Sequence, residues 1–295
     1  MTEQVSVKKR NNAVNDVPVT VLRNVTRVFL LIWVVLVLFP LVWAIVSALK
    51  TEGEFYASAW SLPKSLKWEN FRVAWEEMNF ARYFLNSAIL SVGTVVITVI
   101  MTTTTSYCLA KFISPATKFL GNFYALFMMV PQLLLLIPLL KFCESLNLVD
   151  GGIVLFTLMI TNALQGVPFY VFMTTPFMRG INNAVLEAAE IDGANQFQTF
   201  FRIVLPMVMP AVFVVTLLSF VGIWNEYVMS ITFITYQEEF YTVSVGLNNL
   251  LTDNTYKFVE KFAAIVISMI PIFIVYGIFQ KPLQNGLSSA DGVKG

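Results

Sequence analysis

Residues 183–206 read NAVLEAAEIDGANQFQTFFRIVLP, a stretch too regular for a linker between two apolar runs. Asn182 or Asn183 can cap a helix that carries Glu187 and Glu190 in its early turns, where the helix dipole favours acids. Asp192 and Gly193 supply a turn that ends it. A second helix is expected over about 195–204, with Phe197, Phe200, Phe201 and Ile203 as its apolar side, before Pro206 opens the next apolar run. The whole reads as a short helix-turn-helix lying against a membrane face. A hairpin that merely anchored a loop would use the same aromatics, so they do not by themselves assign a role.

Working outward, the chain is 57% hydrophobic and 13% charged over 295 residues, with mean hydropathy +0.72, which exceeds the apolar share of a globular domain. Six apolar stretches lie near 25–49, 85–110, 119–141, 153–177, 207–235 and 259–281. Each holds the roughly 20 residues that cross a hydrocarbon core of about 30 Å. Backbone groups in lipid must be satisfied internally and the stretches lack barrel-strand alternation, so the expected fold is an all-α membrane protein with six transmembrane helices over 25–283. Residues 1–24 read as a retained tail, with Lys8, Lys9, Arg10 and Arg23 in it, Arg27 just beyond it, and no signal-peptide pattern; residues 284–295 form a second tail. An even number of spans places both termini on one side. That side holds most of the 19 Lys and Arg residues, which predicts that both termini are cytoplasmic. The opposite loop, residues 50–84, contains Trp60, Trp68, Trp75, Phe71 and Tyr83, read as interfacial belt aromatics or as a docking surface for an external protein.

Several chemistries are unsupported by composition. Histidine is absent, which removes the commonest base and metal ligand. Cys108 and Cys143 fall in or at the end of apolar runs and read as small hydrophobes, so no metal site is expected. No Gly-x-x-x-x-Gly-Lys-Ser/Thr occurs, so ATP hydrolysis must come from another protein, and a net charge of +1 offers no field for nucleic acid. No catalytic residue is expected, and no cofactor bound by this chain.

A substrate path is suggested by the fifth stretch. Thr216, Ser219, Ile223, Glu226 and Ser230 recur at helical spacing, with Gly222 beside them and Trp224 and Asn225 flanking. Polar groups at membrane depth face protein or water, which makes Ser219, Gly222, Ile223, Asn225 and Glu226 the candidate substrate-binding set. Glu226 is the leading member, with a place at the outer interface as the alternative. Thr161, Asn162, Gln165 and Gln132 could line the same passage or bond between helices, the commoner use, and Pro131, Pro138 and Pro168 are expected to bend theirs.

One pattern goes beyond physical chemistry. Glu187-Ala188-Ala189, three residues, Gly193, nine residues, then Ile203-x-Leu205-Pro206 resembles the EAA loop of ABC importer permeases at every signature position. The resemblance covers nearly the whole chain. It narrows toward the carbohydrate group, and is similar to the maltose-type subunit that carries a C-terminal tail, on Asn86-Ser87, on Trp224-Asn225-Glu226-Tyr227 and on GLSSADGVKG at 286–295.

That resemblance implies a type I importer permease fold in the bacterial cytoplasmic membrane. It assigns the cytoplasmic loop 178–206 to coupling, through Glu187, Ala188, Ala189, Gly193, Ile203, Leu205 and Pro206, with its first helix in a cleft of an ATPase. It assigns Ser289, Asp291 and Gly292 to a tail entering the interface of two ATPase subunits, where composition alone would read a disordered end. The implied partners are a second homologous permease, two ATPases holding ATP and Mg, an extracytoplasmic binding protein and a carbohydrate, in particular an oligosaccharide. A peptide cargo is the alternative. An ion-coupled secondary transporter would use Glu226 as a coupling group but leaves the loop and tail without purpose.

Overall fold

The computed structural model describes residues 19–252, 255 and 257–291, with side chains over 21–281 of these. The N-terminal tail expected over 1–24 therefore lies mostly outside the described residues. The chain opens with α1 (Val19–Ala48), whose most apolar part is almost entirely unburied within the subunit, the surface expected of a helix facing lipid or another chain. A lobe follows, built from α2 (Glu52–Ala57), α3 (Glu69–Arg72) and a π turn at Val73–Glu77. Thr51 and Glu54 start α2 with a reciprocal capping box. Asn70 fastens the lobe to the end of α1, its Nδ2 donating to the carbonyls of Ala48 at 2.7 Å and Lys50 at 2.8 Å. Lys50, 0% exposed, donates from Nζ to the Ala59 carbonyl at 2.8 Å.

The centre of the bundle is α4 (Phe80–Lys111) packed against α7 (Ile153–Arg179). Ser87, Ser91, Thr94, Thr98, Thr102 and Ser106 recur every three or four residues and form one buried face of α4, where short side chains allow the helices to approach closely. Between the two run α5 (Pro115–Met128) and α6 (Gln132–Ser145), which meet at 105°. The third expected stretch, 119–141, is thus a broken span and not a straight one. Pro131 lacks an N–H and disfavours helical geometry at the residue before it, and α5 ends at Met128 with Met129 as its C-cap.

After the loop helices α8 (Asn183–Ile191), α9 (Gln196–Thr199) and a π turn at Phe200–Val204 comes α10 (Leu205–Met207), then α11 (Met209–Trp224). The direction changes by 76° around Val208. Pro206 was expected to open the fifth span. It sits instead inside α10, and Pro210, in the first turn of α11, begins the apolar helix. That span also stops early: α11 ends at Trp224, and α12 (Val228–Ile234) is a separate segment. A 3-10 turn at Glu238–Phe240 and α13 (Val243–Thr252) lead to α14 (Phe258–Asp291), which packs on α1 and α11 and stays helical through the expected start of the second tail at residue 284. Among the described residues four helices, or six segments when each bent pair is counted as one span, are long and apolar enough to cross a membrane, and the fold is all-α as expected.

Among the described residues three buried clusters hold this bundle, two toward the lobe end and one toward the loop. The one nearest the lobe gathers Phe80, Tyr83, Phe220 and Trp224. Tyr83, expected at the interface, is 5% exposed and donates to Glu238 Oε1 at 3.0 Å, and it lies where a Cβ at Gly246 would collide with its ring. Trp60 and Trp68 are exposed, as belt or docking residues would be. Asn86 and Ser87 pin the segment before α13. Asn86 Nδ2 donates to the carbonyls of Glu239 at 2.9 Å and Tyr241 at 3.0 Å, and Ser87 Oγ accepts from the Val243 N–H at 2.7 Å.

Candidate coupling loop and passage

The loop is shaped by its caps. Asn182 has extended geometry and its Oδ1 accepts from the Ala184 N–H at 3.0 Å, which starts α8. The helix ends on Gly193 at φ 82°, with Gly193 N–H bonded to the Glu190 carbonyl at 3.0 Å and Ala194 N–H to the Ala189 carbonyl at 2.9 Å. This pair of crossing bonds needs a left-handed residue, which glycine adopts at no steric cost. Asn195 and Gln198 then exchange two 2.9 Å bonds in a capping box that starts α9. The chain reverses within a few residues, and both helices of the hairpin have a fixed entry.

Packing orients the hairpin. Phe200 and Val204 are buried with Tyr107, Met178 and Ile181, while Phe197 is 78% exposed and Phe201 is also exposed. The apolar side expected from four positions is therefore split. The π turn at Phe200–Val204 fits an extra residue into one turn, so regular α-helical spacing does not set which of Phe201, Ile203 and Val204 faces inward, and Val204 is the one that does. Ala189 is buried, Glu187 and Ala188 are exposed, Ile203 and Leu205 are half-buried and Pro206 is exposed.

Three bonds tie the loop to the end of α4. Lys111 Nζ donates to the Ile181 carbonyl at 2.7 Å and to Asn183 Oδ1 at 3.0 Å, and Tyr107 Oη donates to Gln196 Oε1 at 3.3 Å. Tyr107 and Lys111 were not anticipated as site residues, because nothing in the linear pattern tells that α4 ends beside the loop. Between them, α8 and α9 lies a cleft of about 220 Å³, which Leu186, Glu187 and Glu190 also line.

Residues 103–289, a stretch that contains this entire loop, match the family described as binding-protein-dependent transport system inner membrane component. The chain belongs to this family. It is 29% identical to the diacetylchitobiose uptake system permease protein NgcG of Streptomyces coelicolor over 90% of this chain and 87% of that one. It is 32% identical to the probable ABC transporter permease protein YurM of Bacillus subtilis over 91% and 87% respectively. In fold it is similar to a chain of a bacterial ABC transporter involved in the import of the acidic polysaccharide alginate, with TM-score 0.77 and 23% identity over 89% of this chain and 96% of that one. The resemblance to ABC importer permeases drawn from the EAA-type loop thus stands.

In this inner membrane component the five residues suggested for substrate do not form one exposed group. Gly222 and Asn225 are exposed and Ile223 and Glu226 half-buried, but Ser219 is 3% exposed and donates to the Thr216 carbonyl at 3.2 Å. Glu226 serves the break between α11 and α12. Its Oε1 accepts from the Met229 N–H at 2.6 Å, and its Oε2 accepts from the N–H of Ser230 at 2.9 Å and from its Oγ at 2.7 Å. The carboxylate caps α12 and is aligned with the positive end of that helix. Trp224 is buried, its indole N–H donating to the Ser268 carbonyl at 3.0 Å, so it offers no open aromatic face. Thr161 and Asn162 bond back to their own helix, at 2.8 Å to Thr157 and Leu158, while Thr161, Gln132 and Gln165 also reach across helices. Ser289 and Asp291 belong to the last turns of α14, and Gly292 lies outside the described residues. Among the described residues no cluster of three metal-ligating side chains occurs and both cysteines are free.

Proposed function

We propose that the chain forms one half of the transmembrane passage of an ATP-driven importer, which receives an oligosaccharide from an extracytoplasmic binding protein. A second homologous permease supplies the other half, and two ATPases, holding ATP and Mg, dock against the loop. The observation that carries this reading is the loop itself. Its first helix is capped at both ends, leaves Glu187 and Ala188 exposed, and is bonded through Asn183 to the end of a central span. Such a rigid connection suits a part that converts movement of a partner into movement of helices. The carbohydrate cargo is supported by the named substrates of the relatives, diacetylchitobiose and alginate.

Orientation follows the charges. Lys111, Lys118, Arg179 and Arg202 lie toward the loop end, which we place in the cytoplasm with both termini. In the opposite lobe Arg72 is neutralised by Glu69, Glu76 and Glu77, and Lys50 is buried. Gly222 and Asn225 would face the passage beside Ile223, with Glu226 shaping it as a cap. The last turns of α14, which hold Ser289 and Asp291, would extend toward the ATPases, and the expected role of Gly292 lies outside the described residues. An ion-coupled mechanism is disfavoured by the same cap, because Glu226 has both oxygens committed to α12.

The test is to co-purify the assembly and measure uptake of labelled oligosaccharides together with ATP hydrolysis. Glu187→Lys and Gly193→Pro are expected to leave the chain in the membrane and the ATPase bound or active, while uptake is lost. Normal uptake in both variants overturns the coupling role. Purification of the chain with no ATPase or second permease overturns the importer.

A further inference from the structure

A groove lies away from both the loop cleft and the fifth span. It encloses about 620 Å³ between the end of α4, α5 and the second half of α7. Its length can be counted along two helices. From Lys118 to Met128 on α5 and from Arg179 back to Pro168 on α7, all four of which line it, the rise at 1.5 Å per residue is about 15 Å. That is half of a hydrocarbon core of about 30 Å, the depth of one leaflet.

The lining is graded along this length. Lys118 and Arg179 stand at the loop end, both exposed. Leu109, Ala125, Met128, Pro168 and Phe172 lie deeper or along the walls. Among the described residues neither cation makes an ion pair, and no carboxylate lines the groove. This contrasts with Arg72 in the lobe, which is surrounded by three acids. A soluble anion would satisfy the cations but not the apolar walls, and a neutral acyl chain would do the reverse. We infer that the groove binds one anionic phospholipid, with its phosphate between Lys118 and Arg179 and an acyl chain along the α5–α7 wall. Basic pockets between helices near a charged leaflet recognise such headgroups, and each cation near the surface strengthens binding several-fold.

Native mass spectrometry of the full chain, extracted in mild detergent and offered equal phosphatidylglycerol and phosphatidylcholine, tests this. About tenfold preferential retention of phosphatidylglycerol is expected. The preference should vanish in Lys118→Gln with Arg179→Gln, survive in Lys118→Arg with Arg179→Lys, and survive in the control Lys64→Gln with Arg82→Gln. Millimolar inorganic phosphate should not displace the lipid. Equal retention of the two lipids, an unchanged preference in the double glutamine variant, or full displacement by phosphate overturns the proposal. So does a cross-link in intact membranes from Phe172→Cys to another polypeptide in place of lipid.

Discussion

Lys111, the last residue of α4, donates from Nζ to Oδ1 of Asn183, the first residue of α8, at 3.0 Å, across 72 positions of sequence. The same ammonium holds the Ile181 carbonyl at 2.7 Å. The start of the loop helix is therefore fixed to the helix that makes the most extensive packing contact in the bundle, and a push on α8 reaches α4 without passing through the flexible length of a linker.

Replacing Lys111 by Met keeps most of the aliphatic stem and removes both bonds. Uptake is expected to fall about tenfold, with ATP hydrolysis by the assembly retained, because single positions along a coupling path change the coupling free energy by roughly 0.5–2 kcal/mol. Simultaneous assay of transport and hydrolysis reads this directly; a parallel loss of both would show that the residue only holds the assembly together.

Gly193→Ala forces a side chain into φ 82° where no neighbour obstructs it, so the cost is backbone strain alone. A penalty of about 1–2 kcal/mol is expected, concentrated in α8. Hydrogen exchange over residues 183–195 should accelerate while that of α4 and α7 stays unchanged.

How much of this was visible in the sequence depends on what each signal measures. Hydropathy reports length, and it located all six apolar stretches, but direction is set by single residues, and Pro131 and Val208 turn two of them through 105° and 76°. Cap chemistry is local, so the Asp192–Gly193 turn was legible and the cap was narrowed to Asn182 or Asn183, of which Asn182 serves. Periodicity assumes a constant turn, and the π turn at Phe200–Val204 broke it, so that Val204 is buried and Phe201 is exposed. The spacing of Ser219 and Glu226 showed that they share a helical register. It could not show that Ser219 points into the packing or that α11 ends at Trp224, leaving Glu226 to cap the next helix. Lys111 and Tyr107 depend on contacts across many residues, to which no pattern along the chain points.

Asn86→Ala removes both donors that hold the carbonyls of Glu239 and Tyr241. The two acceptors are only partly buried, so leaving them without this partner costs about 1 kcal/mol each, the low end for a lost bond. A lower melting temperature of the solubilised chain is expected, with Asn86→Ser recovering little, since a hydroxyl is too short to span both carbonyls.

Acid should loosen the lobe through Glu54. Its carboxylate accepts from the Thr51 N–H at 2.9 Å and the Lys64 N–H at 3.1 Å, and the first of these bonds chiefly holds the group below its ordinary value of 4.5. A carboxyl depressed in the folded state stabilises it fully above the unfolded value and loses that contribution as pH falls through the lower, folded value. Residues 51–64 should therefore show faster hydrogen exchange, corrected for intrinsic rates, as pH drops below 4.5, and Glu54→Gln should flatten that dependence. Identical profiles in the two proteins would assign the acid sensitivity elsewhere.

The cap made by Glu226 separates two roles for the same side chain. Glu226→Gln retains one acceptor oxygen and loses the charge that faces the N–H groups of Met229 and Ser230, at an expected cost of about 2 kcal/mol. If capping is its work, uptake should drop in proportion to the loss of folded protein, with the apparent affinity for the oligosaccharide unchanged. A substituted helix start should then rescue it: Tyr227→Asp, which places a new acid one residue along at the N-terminus of α12, should restore stability and uptake together in the Glu226→Gln background. A rise in the half-saturating sugar concentration at full protein level, unrelieved by the second substitution, would return Glu226 to the list of residues that touch the cargo.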